Sequence, residues 1–405
     1  MNSNITELKQ QINYYFHNTY LTKYPMAIQD MLIHLFNDGK RIRPILFIAF
    51  SHIADLSGVE KEDNIWIEYA IEIELLHCLS LVIDDLPEMD NEVERRGRPC
   101  FHLVYGLQKT NFFLYYMFSK LSSNLTNLFN YHNNKNHSSM SKRIFDDASF
   151  LVHYLINNLI DGQYIDITSC KSMSNDMQSL IDGNIILVMQ VIMFIYDEDI
   201  DIEEHHGSLS MIIENHIMLN IKKTGTLFAL PIITGFLFQI YKKNLEYTGK
   251  EVILDEFYIP DTADIADTAD TADIADTADI ADTADMEGTI NSCNSIARKN
   301  KLDLGDDNII NLIIIWALFL GFLFQTSDDF LDMESDASNG KPNICNIIGI
   351  EESIKLLSKS IVIVRAMFEY IVKNTLQIWP DVVINTGHIN SVINLIESRY
   401  QKEKK

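Results

Sequence analysis

The stretch Ile309–Phe324 is apolar except for Asn311 and runs directly into Asp328 and Asp329. A helix that is apolar on every side has to be enclosed, either by other apolar helices or by lipid. It falls just short of the ~20 residues that a membrane span requires. Residues Gly225–Tyr241, flanked by Lys222-Lys223 and Lys242-Lys243, have the same character and the same shortfall. Both segments are therefore read as central helices of a large bundle rather than as parts of an integral membrane protein. With 405 residues, 47% of them apolar, the chain has enough material to enclose them.

Elsewhere apolar residues recur mostly at helical spacing, as in Trp66, Ala70, Ile73 and Leu76-His77, and Gly-punctuated alternating runs are absent. The fold class is all-α, with helices predicted near 26–38, 43–57, 64–86, 106–128, 142–168, 209–221, 222–241, 306–332, 351–374 and 386–402. One domain is expected over residues 1–405, interrupted by a low-complexity acidic insert at 245–304 and a second insert at 171–207. Asp261–Asp285 is a triplet repeat of Ala, Thr, Ile and Asp that cannot bury enough apolar surface to fold, so a disordered loop is expected.

The formal charge of −25 falls only to −25 + 9 = −16 when the nine aspartates of that repeat are set aside. Nucleic acid is excluded as a partner, because it demands a dense basic footprint. Cys78, Cys100, Cys170, Cys293 and Cys345 form no C-x-x-C pair, which fits a reducing compartment. Met1–Gln10 lacks the basic start and apolar core of a secretory signal, so an intracellular location is expected, cytoplasmic or in a plastid-type organelle.

Two aspartate-rich segments suggest chemistry. In the first, His77 and Asp84 are seven residues apart and share a helix face. Pro87 ends or disturbs that helix, letting Asp90 turn back toward Asp84-Asp85. In the second, Asp328 and Asp332 are at i and i+4, about 6 Å apart. Adjacent carboxylates repel by ~1 kcal/mol at 4 Å in water and ~4 kcal/mol at an effective dielectric of 20, so a cation is needed among them. Oxygen-only ligands suit a hard ion, Mg²⁺, bound together with substrate phosphates. Arg95-Arg96-Gly97-Arg98, Lys40-Arg41-x-Arg43, Lys222-Lys223 and Lys341 supply the balancing charge. Together they suggest two diphosphate subsites, one bridged by metal and one gripped by Arg and Lys.

These residues resemble the trans-isoprenyl diphosphate synthase family, which makes farnesyl, geranylgeranyl and longer polyprenyl diphosphates. The likeness lies in Gly39-Lys-Arg-Ile-Arg43-Pro44, Asp84–Asp90 with Arg95–Pro99, Gly162-Gln163-x-x-Asp166, Lys223-Thr224-Gly225 and Phe324-Gln325-x-x-Asp328-Asp329-x-x-Asp332. The first aspartate motif has the two-residue insertion of the bacterial and plant style. The resemblance implies an isoprenoid synthase-type helical bundle around a deep central cavity, a homodimer, and three Mg²⁺ per site. It implies a prenyltransferase that joins isopentenyl diphosphate to an allylic diphosphate. Asp84, Asp85, Asp90 and Asp328 would hold the metal, supported by Asp329 and Asp332, while Arg95, Lys223 and Lys341 would touch the allylic diphosphate. Lys40, Arg43, His77 and Arg96 would bind isopentenyl diphosphate, and Thr224 and Gln325 would face the developing cation.

Ile83, Leu114-Tyr115 and Pro342 depart from the family pattern. They motivate an alternative, a weak or inactive homologue acting as a regulatory subunit. Leu79 and Ser80, one turn before Asp84, are not aromatic. The resemblance then implies a product longer than farnesyl, with geranylgeranyl diphosphate expected, unless Phe112, Phe113, Tyr115 or Tyr116 floors the tail channel.

Overall fold

Helices account for nearly all of the chain described by the computed structural model, which covers residues 3–37, 39–51, 64–131, 139–168, 180–197, 208–242, 308–339 and 341–400. The helices, in order, are α1 (Ser3–Tyr15), α2 (Met26–Phe36), α3 (Ile42–Ser51), α4 (Asn64–Asp84), α5 (Phe101–Tyr105), α6 (Leu107–Tyr131) and α7 (Ser139–Thr168). They continue as α8 (Leu180–Asp197), α9 (Ser208–Asn220), α10 (Thr226–Lys242), α11 (Asn308–Asn339), α12 (Ile344–Ile348), α13 (Ile350–Ile378) and α14 (Thr386–Tyr400). The acidic repeat and the rest of the 245–304 insert lie outside the described residues, as do the ends of the 171–207 insert.

Three departures from the predicted helices have physical causes. Helix α1 was not anticipated, although Ile5, Leu8, Ile12 and then Phe16 form the apolar stripe that it buries. Helix α8 falls inside 171–207, where acidic flanks hid an apolar run; Ile185, Val188 and Ile192 are buried. Helix α11 continues past Asp332 to Asn339, so the second aspartate pair sits within a helix and not at its end.

The chain divides into two compact units. One comprises Met1–Asn157, Leu230–Leu245 and Val383–Ser391, and the other Asn158–Ala229, Glu246–Val382 and Val392–Lys405. In the first, α4 packs against α2, α3 and α6. All ten residues of α3 are buried, which is why its sequence shows no polar face. Gln239, 1% exposed in an otherwise apolar stretch, is held by its amide. It donates to the Phe50 carbonyl at 2.7 Å and the Val383 carbonyl at 2.8 Å, and it accepts from the Val383 N–H at 2.5 Å.

In the second unit, α11 packs against α8, α13 and a π-helical turn at Ile221–Gly225. Trp316 is fully buried in α11, donates its indole N–H to the Val364 carbonyl at 2.9 Å, and stacks on Phe368. Burying such side chains contributes roughly 1.5–3 kcal/mol each. A Cβ on Gly321 would lie 2.6 Å from the Cα of Gly225, so only glycine lets α11 meet the π-turn backbone. The helical stretches that contain most of the two apolar segments, Met211–Ile240 and Ile309–Ser338, are 94% and 89% buried over their most apolar windows. Their apolar surfaces are covered by protein, as expected for interior helices.

Candidate active site

In the first unit, α4 stops at Asp84, and the chain folds back as predicted: the Asp90 N–H donates to the Asp84 carbonyl at 2.9 Å. Carboxylates at a helix C-terminus oppose the helix dipole and need a positive partner. Arg95 provides one. It sits on a two-strand hairpin, Glu94–Arg95 against Arg98–Pro99, whose turn places Arg96 at φ 54° and Gly97 at φ 76°. Such paired positive φ values define the type I′ hairpin turn. Arg95 grips the buried Asp85 through Nη2 at 2.6 Å and through Nε at 2.7 and 2.9 Å.

The basic residues upstream divide in function. Lys40 is exposed and Arg43 buried, while Arg41, at φ 59°, turns into the core. Its guanidinium lies over the Phe36 ring, is buried, and donates to Glu74 Oε1 at 3.4 Å and Asn13 Oδ1 at 3.0 Å. Arg41 was read from sequence only as balancing charge, yet it anchors the entry to α3, between Lys40 and the helical Arg43. Only the strained φ reveals this, and sequence does not encode it visibly.

His77, in α4, feels the charge of this group. Burial first, then Arg43, Arg96, Arg95 and Arg41, hold its imidazole pKa well below the usual histidine range. The imidazole is therefore neutral amid guanidinium charge, an environment that favours an anion. Around α6, Phe112 and Tyr115 are 75% and 72% exposed, whereas Phe113 is 3% exposed and stacks on Phe101. Of the aromatic residues considered as a channel floor, Phe113 alone is fully enclosed. Tyr115 adds no bulk to the interior.

In the second unit, the residues expected beside the reacting carbons do meet: Thr224 Oγ1 donates to Gln325 Oε1 at 3.0 Å, and Gln325 Nε2 donates to Asp329 Oδ1 at 3.1 Å. The π-turn supplies the geometry, since an extra residue in a helix re-aims the side chains around it. Lys223 pairs with Asp166 at 2.6 Å, and the buried Lys222 pairs with Asp161. Gly162 permits this approach, because a Cβ there would meet the Lys223 N at 2.9 Å.

Asp329 is 4% exposed and uses both oxygens on protein donors. Besides Gln325, its Oδ2 accepts from the Ile344 N–H at 3.0 Å and faces His216 Nε2 at 3.4 Å. Asn343 Nδ2 ties its carbonyl (2.8 Å) to the Asp336 carboxylate (2.8 Å). Asp332 is exposed, and Lys341 donates its backbone N–H to the Asp336 carbonyl at 2.9 Å. Asp328, partly exposed, is met by Arg399 at 3.0 Å. Neither Arg399 nor Asp336 was anticipated, although Asp336 continues the i, i+4 spacing of Asp328 and Asp332.

Among the described residues, no three His, Cys, Asp or Glu side chains already converge on one point. The donors nonetheless suit a hard cation. Each motif is oxygen-only, and in each a guanidinium stands where positive charge is required, Arg95 on Asp85 and Arg399 on Asp328. A carboxylate offers about four lone-pair directions, so such contacts are compatible with metal ligation.

A helical protein whose two units each carry an aspartate-rich helix segment met by a guanidinium is the class that these features define. The family model for polyprenyl synthetase matches residues 25–254. The chain belongs to that family. Geranylgeranyl pyrophosphate synthase 10, mitochondrial, of Arabidopsis thaliana is 43% identical over 78 residues, 19% of this chain and 21% of that protein. Geranylgeranyl pyrophosphate synthase, chloroplastic, of Capsicum annuum is 36% identical over 103 residues, 25% of this chain and 27% of that protein. The aligned stretches thus span about a fifth to a quarter of these relatives, 21% and 27%. The crystal structure of a geranyltransferase from Legionella pneumophila superposes with a TM-score of 0.53 at 15% identity, covering 99% of this chain and 97% of that one. At that identity the likeness shows the fold, an isoprenoid synthase-type helical fold.

Proposed function

We propose that this chain is a Mg²⁺-dependent prenyltransferase that condenses isopentenyl diphosphate with an allylic diphosphate, head to tail and trans, with geranylgeranyl diphosphate as the expected product. The observation that carries this reading is the hold of Arg95 on Asp85 at the acidic end of α4, with Arg43 and Arg96 charge acting on His77 of the same helix. In so acidic a chain, such a cluster answers a multiply charged anion. Lys40, Arg43, His77 and Arg96 are assigned to isopentenyl diphosphate, and Arg95, Lys223 and Lys341 to the allylic diphosphate.

Asp84, Asp85, Asp90 and Asp328 would hold Mg²⁺, and Asp329 and Asp332 would support it. When bound, the metal would neutralise charge building on the departing diphosphate. In the reaction, the allylic carbon–oxygen bond breaks with its electron pair leaving on diphosphate. The alkene of isopentenyl diphosphate attacks the allylic carbon, and the departed diphosphate takes the proton whose loss forms the new double bond. Thr224 and Gln325 present neutral dipoles to the developing cation. Apolar walls keep out water, which would quench it.

Leu79 and Ser80, one turn before Asp84, are not aromatic, which supports a product beyond farnesyl. The exposed Phe112, Tyr115 and Tyr116 on α6 support a homodimer, and light scattering on the purified chain tests it. Incubation with isopentenyl and farnesyl diphosphates and Mg²⁺ is expected to give a C20 product, abolished in Asp84→Ala. A C15 limit would sink the product assignment. A regulatory subunit is the second reading, favoured by the guanidiniums on Asp85 and Asp328; turnover by the purified chain alone would exclude it.

A further inference from the structure

Arg399, near the end of α14, is 4% exposed. Burying a guanidinium is costly unless it is well satisfied, so its surroundings indicate its purpose. Its Nη1 donates to Asp328 Oδ1 at 3.0 Å and to Ser327 Oγ at 2.6 Å, with the Phe324 carbonyl at 3.4 Å. The Ser327 hydroxyl donates to that carbonyl at 2.7 Å, which leaves its oxygen lone pairs for Arg399. The guanidinium carbon lies over the Phe324 ring, 4.4 Å from its centroid. Among the described residues its Nη2 is buried and makes no hydrogen bond. Asp332, one turn further, adds to the negative field that Arg399 meets. A buried arginine with a donor in reserve is thus fastened to the carboxylate assigned to metal.

We propose that Arg399 is the resident counter-cation of Asp328, a positioning residue that fixes this carboxylate in the metal-free protein and competes with the divalent ion for it. This rests on the assignment of Asp328 as a metal ligand. The guanidinium and the ion are like charges drawn to one carboxylate, so each weakens the other's hold. Linkage makes the effect reciprocal: metal arriving at Asp328 loosens Arg399, and with it the end of α14.

The test is Mn²⁺ binding followed by electron paramagnetic resonance on the full chain without substrate, which does not depend on turnover. Arg399→Gln is expected to bind Mn²⁺ about fivefold or more tightly than the wild type, the lower end of typical coupling between two sites. Arg399→Lys, which keeps the charge, is expected to stay near the wild type. Arg365→Gln removes another ion pair made to α14, at Glu397, and is expected to change nothing, which separates loosening of the helix from loss of the counter-cation. In an Asp328→Asn background, the effect of Arg399→Gln is expected to vanish. Unchanged or weaker Mn²⁺ binding in Arg399→Gln would overturn the proposal. If wild-type protein binds no Mn²⁺, the metal assignment itself fails, and this inference with it. Should Arg399→Gln not fold, Arg399→Met keeps the stack on Phe324 and carries the same expectation; if neither folds, the residue is structural and the proposal falls.

Discussion

Replacing Lys222 by Met is expected to destabilise the protein far more than loss of an ordinary surface ion pair. Exposed pairs contribute roughly 0–1 kcal/mol because water screens them and the side chains lose entropy. Lys222 and Asp161 are each 6% exposed, so solvent cannot take over when one partner is removed. Deleting one member of a buried pair strands the other charge and costs about 3–5 kcal/mol. That is a fifth or more of a typical ~5–15 kcal/mol total. Replacing both, as Asp161→Leu with Lys222→Met, removes the stranded charge and is expected to return most of the loss. Urea unfolding followed by circular dichroism would read both effects as shifts in midpoint at constant slope. A Lys222→Met cost below about 1 kcal/mol, or a double variant no better than the worse single one, would refute the claim that this pair is desolvated.

Two further substitutions probe separate features. Burial pushes the Glu72 carboxyl up to about 7 from 4.5, against hydrogen bonds from Asn124 and Tyr20. Its folded pKa is raised, so its contribution is complete below pH 4.5 and is lost as pH rises toward about 7. At ~1.4 kcal/mol per pKa unit the loss is on the order of 3 kcal/mol, and Glu72→Gln is expected to flatten the stability profile in that window, as followed by thermal melts. Gly321→Ala places a methyl 2.6 Å from the Gly225 Cα, and is expected to cost about 1–3 kcal/mol as α11 is forced off the π-turn. A melting temperature equal to that of the wild type would show that the contact can relax.

Much of the fold was legible because its signals are local. The helical period marked α2 to α4, α13 and α14, and Pro87 marked the turn that brings the Asp90 N–H to the Asp84 carbonyl. The stripe of Ile5, Leu8 and Ile12 was equally local, yet among Asn, Gln and Lys it went unread. Helix α8 was masked by its acidic flanks. The extension of α11 to Asn339 lacked a stop signal, since no proline or glycine intervenes before residue 340.

The candidate site divides along the same line. Residue types and their order sufficed to name the carboxylates, the basic groups, Thr224 and Gln325. Which charge meets which was decided by packing alone: Arg95 goes to Asp85 because of a two-strand hairpin, and Arg41 goes inward because its backbone takes φ 59°. Asp329 became an anchor because Asn343 and Ile344 return to it, and Arg399 reaches Asp328 from a helix 71 positions away in number, 399 − 328 = 71. The sequence by itself determined the chemistry available, since composition and helical period depend only on near neighbours. The tertiary structure decided the pairing, because electrostatic partners separated by many residues are chosen by which helices bury against one another.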